Sequence, residues 1–149
     1  MADAASITMS ATILPDEIAK TITGLTAGYT PADANDKWYF KISTISTSAN
    51  EALIAGSYIS EGAGPTVHDT IATSDKVKFL FIKNTDGSNS AYLTFDNNTS
   101  AATSEGDALV IPAGSSWFGL FENLTVDDLH ARSASGSPIL QVAAILDDV

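Results

Sequence analysis

The sequence predicts an all-β fold, a single β-sandwich or jelly-roll-like domain of short antiparallel strands. Two observations predict it. Apolar residues recur with a period of two rather than 3.6, the spacing of a strand with one face buried. Short alternating runs are also separated by clusters of Gly, Pro, Asn, Asp and Ser, the residues that reverse a chain. No stretch reads convincingly as a long helix.

The elements follow in order. In "SITMSATIL" Ile7, Met9, Ala11 and Ile13 alternate with Thr8, Ser10 and Thr12, a half-buried strand. "PDEIAKTI" reads either as a helical turn opened by Pro15 or as a continuing strand. "TGLTAGYTPADAND", residues 23–36, is turn-rich and is expected to be a long connection. "KWYFKISTIS" places Trp38, Phe40 and Ile42 on one face and Tyr39, Lys41 and Ser43 on the other. "ANEALIAGSYI" is open between a short helix begun at Asn50 and a strand ending at Ile59.

From residue 76 the pattern sharpens. "KVKFLFIKN" is apolar on both faces, with Val77, Phe79 and Phe81 against Leu80 and Ile82, as in a central strand covered on two sides. "TDGSNS" supplies a hairpin signal in Asp86-Gly87, and "AYLTF" is expected to return as the partner strand. "DNNTSAATSEGD" is a polar loop. "ALVI" leads into the tight turn "PAG", and "SWFGLF" leaves it as a strand. "LHARS" and "PILQVAAIL" are expected to form the last hairpin around "ASGS". The organisation is one globular unit, with residues 1–36 an N-terminal arm or edge strands and residues 37–149 the sandwich.

Composition narrows function. The 149 residues hold 18 Asp and Glu against 7 Lys and Arg, a net charge of −11. Nucleic-acid binding needs a basic stripe, and anionic membrane surfaces attract basic segments, so neither is an expected partner. No cysteine is present, which rules out disulfides and thiolate metal sites. The N-terminus lacks the basic and apolar regions of a signal peptide, and no run of eighteen apolar residues occurs. Synthesis and residence in a cytoplasm are expected, unless a larger assembly carries the chain outside.

The densest set of reactive groups is "NLTVDDLHARSASGS", with Asp127, Asp128, His130 and Arg132 within six positions. On a strand, Asp128, His130 and Arg132 share one face, with Leu129, Ala131 and Ser133 on the other. An ordinary solvated stripe explains that spacing; a reaction centre needs a nucleophile and an oxyanion donor arriving from elsewhere. His68-Asp69 is a second candidate, but two histidines cannot build a His-rich metal site. The Asp86 stretch lacks the spaced carboxylates and terminal Glu of a calcium loop, and Asp96, Glu105 and Asp107, which share one long loop, are more simply explained by turn chemistry. Gly-rich nucleotide motifs and the hydrolase nucleophile elbow are absent. No enzyme activity, cofactor or metal is expected. Asn97, Asn98 and Asn123 begin chance glycosylation tripeptides.

The aromatics are the remaining candidates. Neighbouring rings at 38–40 and 117–118 must point to opposite faces, so some ring surface leaves the core. Trp38, Tyr39, Trp117 and Phe118, with His130 and Arg132, are therefore the candidate protein-interface residues.

"KFLFIKNTDGSNSAYLTFD", "LVIPAGSSWFGLF" and "DLHARSASGSPILQVAAIL", in that order, resemble small virion structural proteins of tailed bacteriophages. The likeness is to head decoration, or capsid cement, proteins of large contractile-tailed marine cyanophages. It spans about residues 76–146 and consists of a strand ending in Lys-Asn-Thr, a return as Tyr-Leu-Thr-Phe, and a Pro-Ala-Gly turn before an aromatic strand. The resemblance implies a jelly-roll-like, homo-oligomeric and often trimeric protein. Its place would be the outer surface of the capsid, bound to the major capsid protein. The alternative is a host- or glycan-binding module on a virion fibre, neck or surface, using exposed Trp or Tyr.

Overall fold

The computed structural model describes residues 4–13, 20–47, 51–59, 69–95 and 108–149. Eight strands form a sandwich: β3 (Asp36–Thr44), β4 (Glu51–Ala52), β5 (Lys76–Asn84), β6 (Ala91–Thr94), β7 (Leu109–Ile111), β8 (Ser116–Thr125), β9 (His130–Ser133) and β10 (Ile139–Asp147). Before them, β1 (Ala5–Ile13) and β2 (Lys20–Tyr29) pair as a separate two-stranded ribbon. One sheet runs β3-β10-β5-β8 and the other β4-β9-β6-β7, with every pairing antiparallel. This strand order, with successive strands changing sheet at each step except β6 to β7, is that of a jelly roll.

The two reversals expected to be hairpins, and the Pro-Ala-Gly turn between them, are arches between sheets. β5 and β6, β7 and β8, and β9 and β10 each fall in different sheets. The reason is competition for partners. β5 has nine residues and is already paired on both edges by β10 and β8, which leaves the four-residue β6 no edge to join. The Asp86 turn is held by side chains instead: Asp86 accepts the amides of Ser88 and Asn89 at 2.8 and 2.7 Å. Buried Asn84 spans the two sheets, its amide donating to the carbonyls of Asn89 and Ile111 at 2.8 and 3.1 Å. The Pro-Ala-Gly turn is as expected, with Gly114 at φ 71°. The arches brace one another through Gly114 N–H to Asp86 O at 3.0 Å and Thr85 N–H to Ile139 O at 2.9 Å.

Alternation decides the core. On β10, Leu140, Val142, Ala144 and Leu146 are fully buried and face the second sheet. Leu80 and Ile82 of β5, Leu93 of β6, Ile111 of β7, and Leu129 and Ala131 around the start of β9 meet them. Each such aliphatic side chain contributes roughly 1.5–3 kcal/mol by leaving water. An irregularity between Val77 and Phe79 moves Val77 to the inner face beside Leu80, not to the face of Phe79 and Phe81 as the alternation predicted. Residues 51–59 contain neither the helix nor the long strand considered above. β4 is two residues long, and Leu53, Ile54 and Tyr58 then drop into the core.

The stretch predicted to be a long connection is strand as far as Tyr29. Its glycines signal close approach rather than a turn: a Cβ on Gly28 would lie 2.8 Å from the Ala5 carbonyl oxygen across the ribbon. Pro31 to Asn35 make the actual turn into β3. Of "PDEIAKTI", read as a helical turn or a continuing strand, residues 20–22 are strand in β2 and residues 15–19 lie outside those described.

Candidate functional site

The Asp127–Arg132 cluster does not converge. Asp127 and Asp128 belong to a 3-10 turn, Val126–Asp128, and not to β9. Asp128 folds back to accept the Thr125 amide at 3.1 Å and the Thr125 hydroxyl at 2.6 Å, closing the corner between β8 and β9. The expected sharing of a face by Asp128, His130 and Arg132 therefore holds only for the last two. His130 stands opposite Ala52 and Thr94, and Arg132 opposite Tyr92, on the outer face of the second sheet. Arg132 donates through Nε to the Thr47 carbonyl at 3.1 Å. Two polar atoms on one rung, Thr94 Oγ1 and His130 Nδ1, are buried without a hydrogen-bond partner among the described residues.

Asp69 holds Lys37. The Lys37 ammonium lies 2.7 Å from Asp69 and 2.5 Å from Asp148, and stands 5.2 Å from the Tyr58 ring centre. These hydrogen bonds raise the Lys37 pKa and hold the Asp69 carboxyl below its ordinary value. Beneath them the Tyr58 hydroxyl donates to fully buried Asp75 at 2.5 Å, and burial first, then that bond, raises the Tyr58 pKa. Asp86 is lowered by the amides of Asn89 and Ser88 that it accepts. Among the described residues no three His, Cys, Asp or Glu groups gather as a metal site, and no helix is long and apolar enough to cross a membrane. His68, Asp96, Glu105 and Asp107 lie outside the described residues.

The distinctive feature is the outer face of the β3-β10-β5-β8 sheet. Register puts Trp38, Ile145, Phe79 and Leu120 in one row across it, then Phe40, Ala143, Phe81 and Phe118 in the next, then Ile42 beside Gln141. The ribbon covers part of this surface: Ala5, Ile7 and Tyr29 pack with Phe79, Ile145, Trp38, Phe81 and Phe118. Tyr29 anchors it by donating to buried Asp36 at 2.9 Å, which also accepts the Ala32 amide at 2.6 Å. Burial, then this bond, pushes the Tyr29 pKa up to about 12. An open groove of about 350 Å³ remains between Ala5 and Ile7 and the floor of Trp38, Phe79, Phe81 and Ala143. Beyond the cover, Phe40 is 50% exposed, Ile42 58%, Leu120 50% and Ile139 42%.

The six expected interface residues are thus sorted by position. Tyr39 is buried at 1% exposure in the core and not at the surface as anticipated, while Trp117, partly buried, turns inward against Phe95 and Phe121 at ring distances of 6.1 Å. Their parity in register with the inward side chains of β10 and β5 sends them inside. Trp38 and Phe118 do lie on the outer face, half-buried beside the ribbon, with Trp38 edge-on to Phe79 at 6.3 Å. His130 and Arg132 lie on the opposite side of the sandwich. The reading missed Phe40, Ile42, Leu120 and Ile139, although their spacing from Trp38, Phe118 and Gln141 carried the signal. Comparison with protein-family models, curated proteins and solved structures finds no match.

Proposed function

We propose that this chain is a non-enzymatic structural protein of a phage virion, a decoration protein bound to the outer surface of the head that stabilises contacts between capsomers of the major capsid protein. The observation that carries the reading is the largely apolar outer face of the β3-β10-β5-β8 sheet, with Phe40, Ile42, Leu120 and Ile139 exposed, and Lys83 in the row of Ile42, on a chain of net charge −11. A surface of that kind serves contact with other proteins, since exposed contiguous apolar area destabilises an isolated soluble monomer. The resemblance over residues 76–146 and the jelly-roll order support the same reading, the fold by itself being shared by capsid, lectin and cupin domains. A glycan-binding role has less support. A sugar platform needs several rings open on one face, and Phe40 is the one aromatic among the exposed large hydrophobics of the described residues.

The test is add-back. Heads depleted of this protein should take it up from solution, acquire regularly spaced density outside the shell in cryo-electron micrographs, and resist heat better. Failure to bind such heads, or signal confined to the tail tip, would overturn the proposal.

A further inference from the structure

Strand β3 is an edge of its sheet, with β10 on one side and, among the described residues, no strand on the other. Alternate residues of an antiparallel strand turn both of their backbone groups to the same side. Ile45 N–H points toward β10 and donates to the Pro138 carbonyl at 2.9 Å. The Trp38 carbonyl points away from β10 and accepts Ile59 N–H at 2.8 Å. By that parity Tyr39, Lys41 and Ser43 bond to β10, while Phe40, Ile42 and Thr44 aim their N–H and C=O groups off the sheet. Past Trp38 these outward groups meet no hydrogen-bond partner among the described residues. The side chains here are open as well. Phe40 and Ile42 stand exposed on the outer face, and Lys41, exposed between them, has no ion pair among the described residues.

We propose that the Phe40–Thr44 edge of β3 docks an extended segment of a partner protein, which joins the sheet as a fifth strand and places an apolar–acidic–apolar triplet opposite Phe40, Lys41 and Ile42. The outward N–H and C=O groups supply the affinity of such an addition, and the side chains in register supply its selectivity. Facing side chains on adjacent strands lie about 4.5–5.5 Å apart at Cβ. Apolar residues at the outer positions therefore extend the rows of Phe40 and Ile42, and a carboxylate at the middle one meets Lys41. The rows behind favour the same partner, since they hold Ala143, Phe81 and Phe118, then Gln141 and Lys83, and no carboxylate. On a chain of net charge −11 that local balance is unusual, and it turns an acidic segment toward this edge. A second copy of the chain fits worse. Two β3 edges paired antiparallel about Lys41 would set Lys41 against Lys41, a destabilising like-charge pair. The site follows from β3 alone and does not depend on the capsid reading.

The experiment uses the intact chain, free of capsids, and a capped synthetic peptide of about seven residues, an ordinary strand length, with Val-Glu-Val at its centre and Ser and Thr around it. Titration is followed by amide hydrogen exchange in NMR spectra. The expected result is saturable binding below about 1 mM, with slower exchange at Phe40, Ile42 and Thr44 and no change at Tyr39 and Lys41, which already bond to β10. A Val-Lys-Val peptide should bind about tenfold more weakly, and Lys41→Glu should invert that order, because one cross-strand charge pair changes sign in each case. Ile42→Pro removes an outward N–H but no ladder bond, so it should keep the melting curve and lose the peptide. Absence of binding at about 1 mM, equal binding of the two peptides, or binding without protection at Phe40, Ile42 and Thr44 would overturn the proposal. So would protection of those amides that grows with the concentration of the chain alone, which would assign the edge to a second copy.

Discussion

The two sheets of the sandwich bury their inner faces alike and treat their outer faces differently. Outside β4-β9-β6-β7 stand Thr94, His130, Arg132 and Tyr92, of which Arg132 donates to the Thr47 carbonyl. Outside β3-β10-β5-β8 stand rows of Trp, Phe, Ile and Leu, half under a ribbon and half open. The difference teaches that a side chain's partner layer, rather than its residue type, sets what it contributes. On one face alternation ends in polar side chains. On the other it produces a third layer.

The sharpest way to break that comparison uses one residue type on one face. Ile145→Ala, under the ribbon, should destabilise the fold by about 2–5 kcal/mol in urea titration, while Ile42→Ala on the same face should change it by no more than about 0.5 kcal/mol. Equal losses would mean that the ribbon gives no cover. Next in size is the anchor. Asp36→Ala removes the acceptor of Tyr29 and Ala32 and should cost about 1–3 kcal/mol, with faster proteolysis in residues 4–29 as the independent readout.

The same anchor gives a pH dependence. Tyr29 titrates at about 12 when folded, above its ordinary 10.0, so it stabilises the fold fully below pH 10 and that share is lost as pH climbs toward 12. Lys37 and Tyr58 are raised as well and act in the same direction. Asp69 and Asp86 are lowered, so their share is present above the carboxylate range and is lost only as pH falls through it. Melting temperature should therefore be flat across the neutral range and fall above pH 10, less so in Tyr29→Phe.

On the polar face the effects are smaller. Thr94→Val removes a buried hydroxyl that has no partner and should stabilise by about 1 kcal/mol, a gain that an ordered water at Oγ1 would abolish. Arg132→Ala loses one bond to the Thr47 carbonyl and should stay within about 0.5 kcal/mol.

Much of the sandwich is legible in the residues. The alternation of "PILQVAAIL", the two-faced "KVKFLFIKN" and the Pro-Ala-Gly turn all describe the observed strands, because period and turn chemistry are local properties. Leu129 and Ala131 likewise show why His130 and Arg132 are spaced as they are. The arches are not legible. Asp86-Gly87 signals a reversal equally well within a sheet or between sheets, and the choice depends on β10 and β8 occupying both edges of β5. Nor could the residues tell that Tyr39 goes inward while Trp38 and Phe40 go outward, since alternation distinguishes two faces without saying which meets the second sheet.

By itself, then, the sequence determined an all-β chain, the positions of most strands and turns, and the absence of the nucleotide-binding and hydrolase motifs. Tertiary structure decided which strands pair, which aromatic rows are covered, and that the Asp127–Arg132 cluster is divided between a corner and a strand. The physical reason is range. Periodicity and turn preference act over a few residues, whereas register and cover come from partners such as β3 and β10, joined across a hundred residues of chain.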